Sequence, residues 1–248
     1  MGWKQKMIDR THIGTSGWVY GHWKGRFYPE DLPQEAWLGY YAQQFDTVEI
    51  NYSFYQLPSE KDFRTWEEQA PEGFLYAVKG NRYITHMKNL KASSKSVEKF
   101  TSRARLLKSH LGPILWQLPP HWHANPARLE AFAARLPDDV QHAFEFRDPD
   151  WFDDEIRSIL ERHAFGFVIY SMPGVECPHW VTSDLIYLRF HGVQGSYSGA
   201  YGEERLRPWA EEISSWAENG RTVHAYFNND PEAHAVEDAR TLISLLDP

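Results

Sequence analysis

The stretch "HIGTSGWVYGHWKGRFYP", residues 12–29, decides between two architectures. It opens as a short strand and breaks at glycine after one turn of alternation. A doubly wound nucleotide-binding sheet would place a Gly-x-Gly-x-x-Gly turn here and run straight into a helix. "GTSGW" is too short for that turn, and "VYGHWKGRFYP" leads into a loop. The stretch favours a closed barrel, provided the rest of the chain supplies the strands.

Working outward, it does. Strand patterns fall at 12–17, 47–52, 74–80, 113–118, 141–147, 166–171, 185–192 and 222–229, each followed by a polar loop and an amphipathic segment. "NPARLEAFAARLP" starts a helix with Asn125 as N-cap and Pro126 at the first helical position, where its missing N–H costs nothing. "DPEAHAVEDARTLISLL" repeats that pattern with Asp230 and Pro231, and "EERLRPWAEEISSWAENG" ends at Gly220. Between 97 and 111, Val97, Phe100, Ala104, Leu107 and Leu111 follow helical spacing. Eight strands alternating with helices imply parallel strands joined by crossovers. The expected fold is α/β, a (β/α)8 TIM-type barrel, with 1–248 as a single domain of ordinary length for that fold.

Composition narrows the function classes. Hydrophobic residues at 42% and charged residues at 24% suit a globular protein with an ample core. Aromatic residues reach 15%, enough to furnish both a core and a pocket that stacks on flat ligands. The single cysteine, Cys177, excludes an intramolecular disulfide and fits a reducing compartment. No apolar run approaches the roughly 18 residues that span a bilayer, and "MGWKQKMIDR" has no apolar leader core. A cytoplasmic protein without membrane contact is expected.

In a barrel of this type, inward side chains at the C-terminal strand ends converge on one cup. Reading each strand for its last polar residues gives Ser16 and then Trp18, Glu49 and Asn51, Lys79, Gln117, Glu145 and Arg147, Arg189 and His191, and Asn228 with Asn229. On the seventh strand, Tyr187, Arg189 and His191 share one parity, while Leu188 and Phe190 take the other. Charges inside strands are costly to bury unless paired. They can form a structural ion-pair plug, in which Glu49 and Glu145 neutralise Lys79, Arg147 and Arg189. They can also form a polar-ligand site.

Several segments also carry a family resemblance. "IGTSGWVYGHWKGRFYP", "FDTVEINYSFYQLPS", "FLYAVKGNRYITH", "LWQLPP", "FEFRDPDW", "YLRFHGVQGSYSGAYG" and "YFNND" resemble, in order, the signature segments of the YecE-like family, domain of unknown function 72. The resemblance covers essentially the whole chain and implies a TIM-type barrel. It supplies no reaction. "FEFRDPDW" departs from the more typical family segment but retains Arg147 and Trp151.

The residue types suggest chemistry without fixing it. Lys79, Arg147 and Arg189 suit an anion such as phosphate. Glu49 and Glu145 are candidate acid and base, and His191 a candidate proton shuttle. Trp18, Tyr55, Trp151, Tyr197 and Tyr201 are candidates for stacking on a sugar or base, with the Gly195–Gly199 segment as a lid or a plain loop. The leading expectation is a hydrolase or isomerase acting on a phosphorylated sugar, nucleotide or nucleic-acid-derived ligand. Alternatives are a glycoside-processing enzyme using the two glutamates and a non-catalytic ligand-binding or adaptor protein. No metal or cofactor is assigned: no HExxH occurs, and "HWH" at 121–123 reads as a loop with exposed histidines. Net charge is −8, against a nucleic-acid coat, yet nine Lys or Arg and one Glu lie from Lys79 to Lys108. Lys91, Lys95, Lys99 and Arg103 are spaced as one helical stripe. It either binds a polyanion or pairs with the acidic "SEKDFRTWEEQAPEG".

Overall fold

A computed structural model describes residues 10–195 and 197–247. The leader reading of residues 1–9 lies outside the described residues, as does Ser196 within the candidate lid. Eight parallel strands close into a barrel in sequence order. They are β1 (Thr11–Ser16), β2 (Thr47–Ile50), β3 (Leu75–Lys79), β4 (Leu111–Gln117), β5 (His142–Glu145), β6 (Gly166–Ser171), β7 (Leu185–Phe190) and β8 (Thr222–Phe227). β8 pairs with both β7 and β1, which closes the ring and leaves no sheet edge.

Alternation along the strands builds two apolar layers. Ala77, Leu115, Ala143, Val168, Leu185, Tyr187 and Tyr226 fill the barrel interior. The opposite parity, including Val48, Val78, Ile114, Phe144, Leu188 and Phe227, packs outward under the helices. Near the strand beginnings the His12 and His224 rings meet at 4.8 Å.

The helices are α1 (Trp37–Tyr41), α2 (Tyr52–Tyr55), α3 (Glu60–Gln69), α4 (Ser94–Ala104), α5 (Pro126–Ala133), α6 (Asp154–Arg162), α7 (Gly202–Glu218) and α8 (His234–Leu246). Asn125 caps α5 by accepting from the Arg128 amide, as expected, and Gly220 takes the left-handed conformation after α7 at φ +84°. The spacing over 97–111 overran its helix. α4 stops at Ala104, a 3₁₀ turn covers Arg105–His110, and Leu111 already belongs to β4.

Asp230 differs from its expected capping role. Its side chain makes no capping bond, Pro231–Ala233 forms a 3₁₀ turn, and α8 begins only at His234. The cap that does form joins two helices. Asp238 on α8 accepts from the Tyr201 and Gly202 amides at 2.9 and 3.0 Å, and so satisfies the start of α7.

β1 and β2 approach too closely for any side chain between them. A Cβ on Gly14 would lie 2.1 Å from the Thr47 carbonyl oxygen and 2.9 Å from the Tyr41 hydroxyl. Gly14→Ala should therefore destabilise the protein by about 2–4 kcal/mol in urea unfolding, since backbone must move to admit one methyl.

Candidate functional site

Below the mouth of the barrel, charges from non-adjacent strands meet in a continuous network. Arg189 on β7 donates from Nη2 to Glu49 Oε1 on β2 and from Nη1 to Glu145 Oε2 on β5, each at 2.7 Å. The remaining carboxylate oxygens are also taken. Tyr187 donates to Glu49 Oε2 at 2.6 Å, Ser16 donates to Glu49 Oε1 at 2.8 Å, and Arg147 Nε donates to Glu145 Oε1. Glu49 and Glu145 are wholly buried and Arg189 is nearly so. Burial alone would raise the Glu145 pKa, but Arg147 and Arg189 hold it well below the usual carboxylate range.

His191 closes this chain. Arg147 Nη2 donates to its Nε2 at 2.7 Å, and its Nδ1 lies 3.2 Å from the Asn228 carboxamide. Both neighbouring groups are N–H donors, and a neutral ring accepts at only one of its two nitrogens, so a proton on Nδ1 requires the Asn228 carboxamide to present its oxygen. Burial and the neighbouring Arg189 and Arg147 push its pKa well below the usual histidine value. Glu49, Glu145 and His191, expected as acid, base and shuttle, are each hydrogen-bonded to protein partners. These bonds hold Arg189 and Arg147 in place. Arg147 is fixed further by the Tyr170 ring, 4.8 Å from its guanidinium carbon.

Above the network lies a cavity of about 440 Å3, lined by Asn51, Tyr55, Lys79, Tyr197 and Asn228 together with Tyr20, Asp230 and Pro231. This volume is in the range of small-molecule sites. A smaller hollow beside it is lined by His191, Met172, Gln194 and, again, Tyr197. Lys79 ends β3 and carries the one cation on the wall of the larger cavity. Among the described residues no carboxylate oxygen lies within 4.0 Å of its Nζ, which instead rests 4.5 Å from the centre of the Phe54 ring. Burial, reinforced by Arg189 and Arg147 and only partly offset by Glu49 and Glu145, brings its pKa down to about 7.

Two further polar groups face this space. Asp230 is raised above the ordinary carboxylate value by burial. Asn51 Oδ1 is buried without a hydrogen-bond partner. Gln117 ends β4 in register with Glu145, partly buried.

Four residues expected to touch a ligand pack elsewhere. Trp18 follows Gly17, whose φ of +98° turns the chain out of the barrel, and it meets the Trp66 ring edge-on at 5.9 Å. Trp151 lies in a 3₁₀ turn and stacks on Phe146 at 4.9 Å, wholly buried. Tyr201 is buried under Phe190 and donates to the Ser171 carbonyl. Asn229 has the opposite parity to Asn228, so it faces away from the cavity and donates to Asp238 and to the Gly199 carbonyl. Tyr20 and Asp230 were missed: one lies beyond the strand end, and the other matched a capping pattern.

The basic stripe is shorter than its spacing implied. Lys91 precedes α4, leaving Lys95, Lys99 and Arg103 on the helix. Arg103 donates to the Pro58 carbonyl at 2.6 Å and stands 3.9 Å from Glu60 on α3, while Lys108 pairs with Glu67 at 2.9 Å. His123, exposed as expected, brings its Nδ1 2.6 Å from Asp150 Oδ2, with Asp148 nearby. His123 and Asp150 are hydrogen-bonded at the surface, and Asp148 also caps the following turn. Among the described residues no helix is long and apolar enough to cross a membrane.

Residues 12–248 match the family described as "Protein of unknown function DUF72". The chain belongs to this family. It is 23% identical to UPF0759 protein YunF of Bacillus subtilis over 95% of this chain and 94% of that protein. A DUF72 family protein of Thermotoga maritima has a similar structure, with a TM-score of 0.87, 27% identity, and coverage of 96% of this chain and 99% of that one. An Enterococcus faecalis DUF72 protein shares the fold with a TM-score of 0.80 at 18% identity, covering 96% of each chain. These likenesses agree with the barrel and name no reaction.

Two outcomes follow from the charge arrangement. Arg189→Met should cost about 3–5 kcal/mol in urea unfolding, because it strands two buried carboxylates at once. Lys79→Met should act in the opposite direction. A half-buried lysine with a lowered pKa binds fewer protons folded than unfolded between pH 7 and its unfolded value, so its cost is greatest below pH 7 and fades as pH rises. The variant should thus be more stable than wild type at pH 6, and the gap should narrow by about 2–3 kcal/mol by pH 9.

Proposed function

We propose that the protein is an enzyme for a small, polar, anion-bearing substrate of the sugar-phosphate class, held in the cavity above the ion-pair network. The observation that carries this reading is the charge count in the cup. Arg189 and Arg147 are matched by Glu49 and Glu145, so Lys79 is the cation left without a contacting carboxylate. A ligand anion would supply the missing charge and raise the lysine pKa on binding. Tyr20, Tyr55 and Tyr197 offer hydroxyls and ring faces, while Asn51 and Asn228 offer amides, a set suited to a polyhydroxylated body. Lys79, Asp230 and Tyr20 are the groups with perturbed pKa values on the cavity wall, the tyrosine raised by burial and by Asp230, which favours isomerisation or hydrolysis by acid–base chemistry over binding alone.

The glycoside-processing alternative loses support, because both carboxylates it requires are spent on arginine, tyrosine and serine donors. A nucleotide remains within the proposed ligand class. The test is a panel of sugar phosphates and nucleotides screened by thermal shift and titration calorimetry. At least one should raise the wild-type melting temperature, and Lys79→Met should weaken its binding by about tenfold or more, equivalent to about 1.4 kcal/mol. No stabilising ligand, or equal affinity in the variant, would overturn the reading.

A further inference from the structure

Lys79 is placed for more than charge. An ammonium meant only to hold an anion is best kept solvated or beside a carboxylate, where its proton is secure. Lys79 has neither. Its Nζ lies against Phe54, and Arg189 and Arg147 face it from β7 and from beyond β5. Glu49 and Glu145 also face it, but their oxygens are committed to other donors. From the loop after β3, His86 adds no negative charge: burial and Lys79 itself bring its pKa down to about 4. Partial burial and the nearby arginines bring the free amine within reach near pH 7, and desolvated lysines beside other cations serve as nucleophiles toward carbonyl carbon.

We infer that Lys79 captures the carbonyl group of its substrate covalently, its Nζ condensing with an aldehyde or ketone in the cavity to form a protonated imine. This inference rests on the sugar-phosphate reading and adds that the substrate reacts in its open-chain carbonyl form. The neutral amine uses its lone pair to form the N–C bond, while the carbonyl π pair moves to oxygen. The nitrogen passes one proton to that oxygen, which gives a neutral carbinolamine. Asp230, on the same cavity wall, supplies the proton to the hydroxyl. The C–O bond breaks with loss of water, and the nitrogen lone pair closes the C=N bond.

The nitrogen keeps one hydrogen and a positive charge, so the iminium leaves the cup with the charge that the ammonium had carried. Asn51 Oδ1, buried without a partner, is the acceptor available to the carbinolamine hydroxyl or the iminium N–H. The carboxylate left on Asp230 can then take a proton from the carbon next to the imine. That electron pair is drawn toward nitrogen, which is the class of step an isomerase needs.

Borohydride trapping tests this directly. The protein is incubated at pH 7 with dihydroxyacetone phosphate, reduced, digested and analysed by mass spectrometry. A separate sample receives formaldehyde with cyanoborohydride, which reports amine reactivity whatever the natural ligand is. Lys79 should be modified by both, and by formaldehyde about tenfold or more faster than any other lysine, because an ordinary lysine is almost fully protonated at that pH. Lys79→Arg, which keeps the cation but cannot form the imine, should retain thermal stabilisation by dihydroxyacetone phosphate and show no adduct. Its fold is checked by circular dichroism.

Formaldehyde modification of Lys79 no faster than that of surface lysines overturns the inference. Stabilisation by dihydroxyacetone phosphate without a trapped adduct on Lys79 also overturns it, while leaving the binding reading intact. If neither the panel nor the trapping gives a signal, both fall.

Discussion

Arg189 is the hinge of the structure's electrostatics. One guanidinium reaches two carboxylates on strands separated by two others, and each carboxylate accepts from further donors, Ser16 and Tyr187 on Glu49 and Arg147 on Glu145. Such a network carries a heavy desolvation cost, offset because every carboxylate oxygen in it accepts a hydrogen bond, while Arg189 Nε stays buried without a partner. The cost is not wasted on stability alone. A satisfied network is rigid, and it forms a fixed polar floor on which Asn228 and His191 are oriented. The cavity inherits that rigidity, which is what precise positioning of a small substrate requires.

The same network explains why Lys79 differs from the arginines beside it. Two positive charges and two negative charges cancel locally, so a third cation finds neighbours of both signs and a contact with neither carboxylate. It retains an aromatic face and an open cavity. The contrast is between residues that have found partners inside the protein and one whose partner must come from outside.

Much of the architecture was legible along the chain because parallel strands buried on one face and packed on the other leave a period-two record. Parity alone put Tyr187, Arg189 and His191 on one wall, and all three point into the barrel. Parity could not say who pairs with whom. Glu49 and Glu145 belong to strands separated by two others, and only closure of the ring brings them to the same guanidinium. Reading stopped working where the strands end. The left-handed Gly17 turned Trp18 outward, a 3₁₀ turn buried Trp151, and a shift of one residue separated the inward Asn228 from the outward Asn229. Asp230 shows the converse error, since a local Asp-Pro signal concealed a residue of the cavity.

The span of the Arg189 bridge also bears on how the chain reaches its native state. Glu49 and Glu145 emerge well before the strand that carries their counter-ion, separated from it by 140 and 44 residues. Until β7 arrives, Glu49 has no cation in contact and Glu145 has only its neighbour Arg147, so the first five strands have an electrostatic penalty against collapsing prematurely on themselves. Closure of the ring then supplies the cation and removes the penalty together. A barrel organised this way favours assembly as one unit over the accumulation of a stable amino-terminal half, since the charge that makes its centre tolerable is held by the last quarter of the chain.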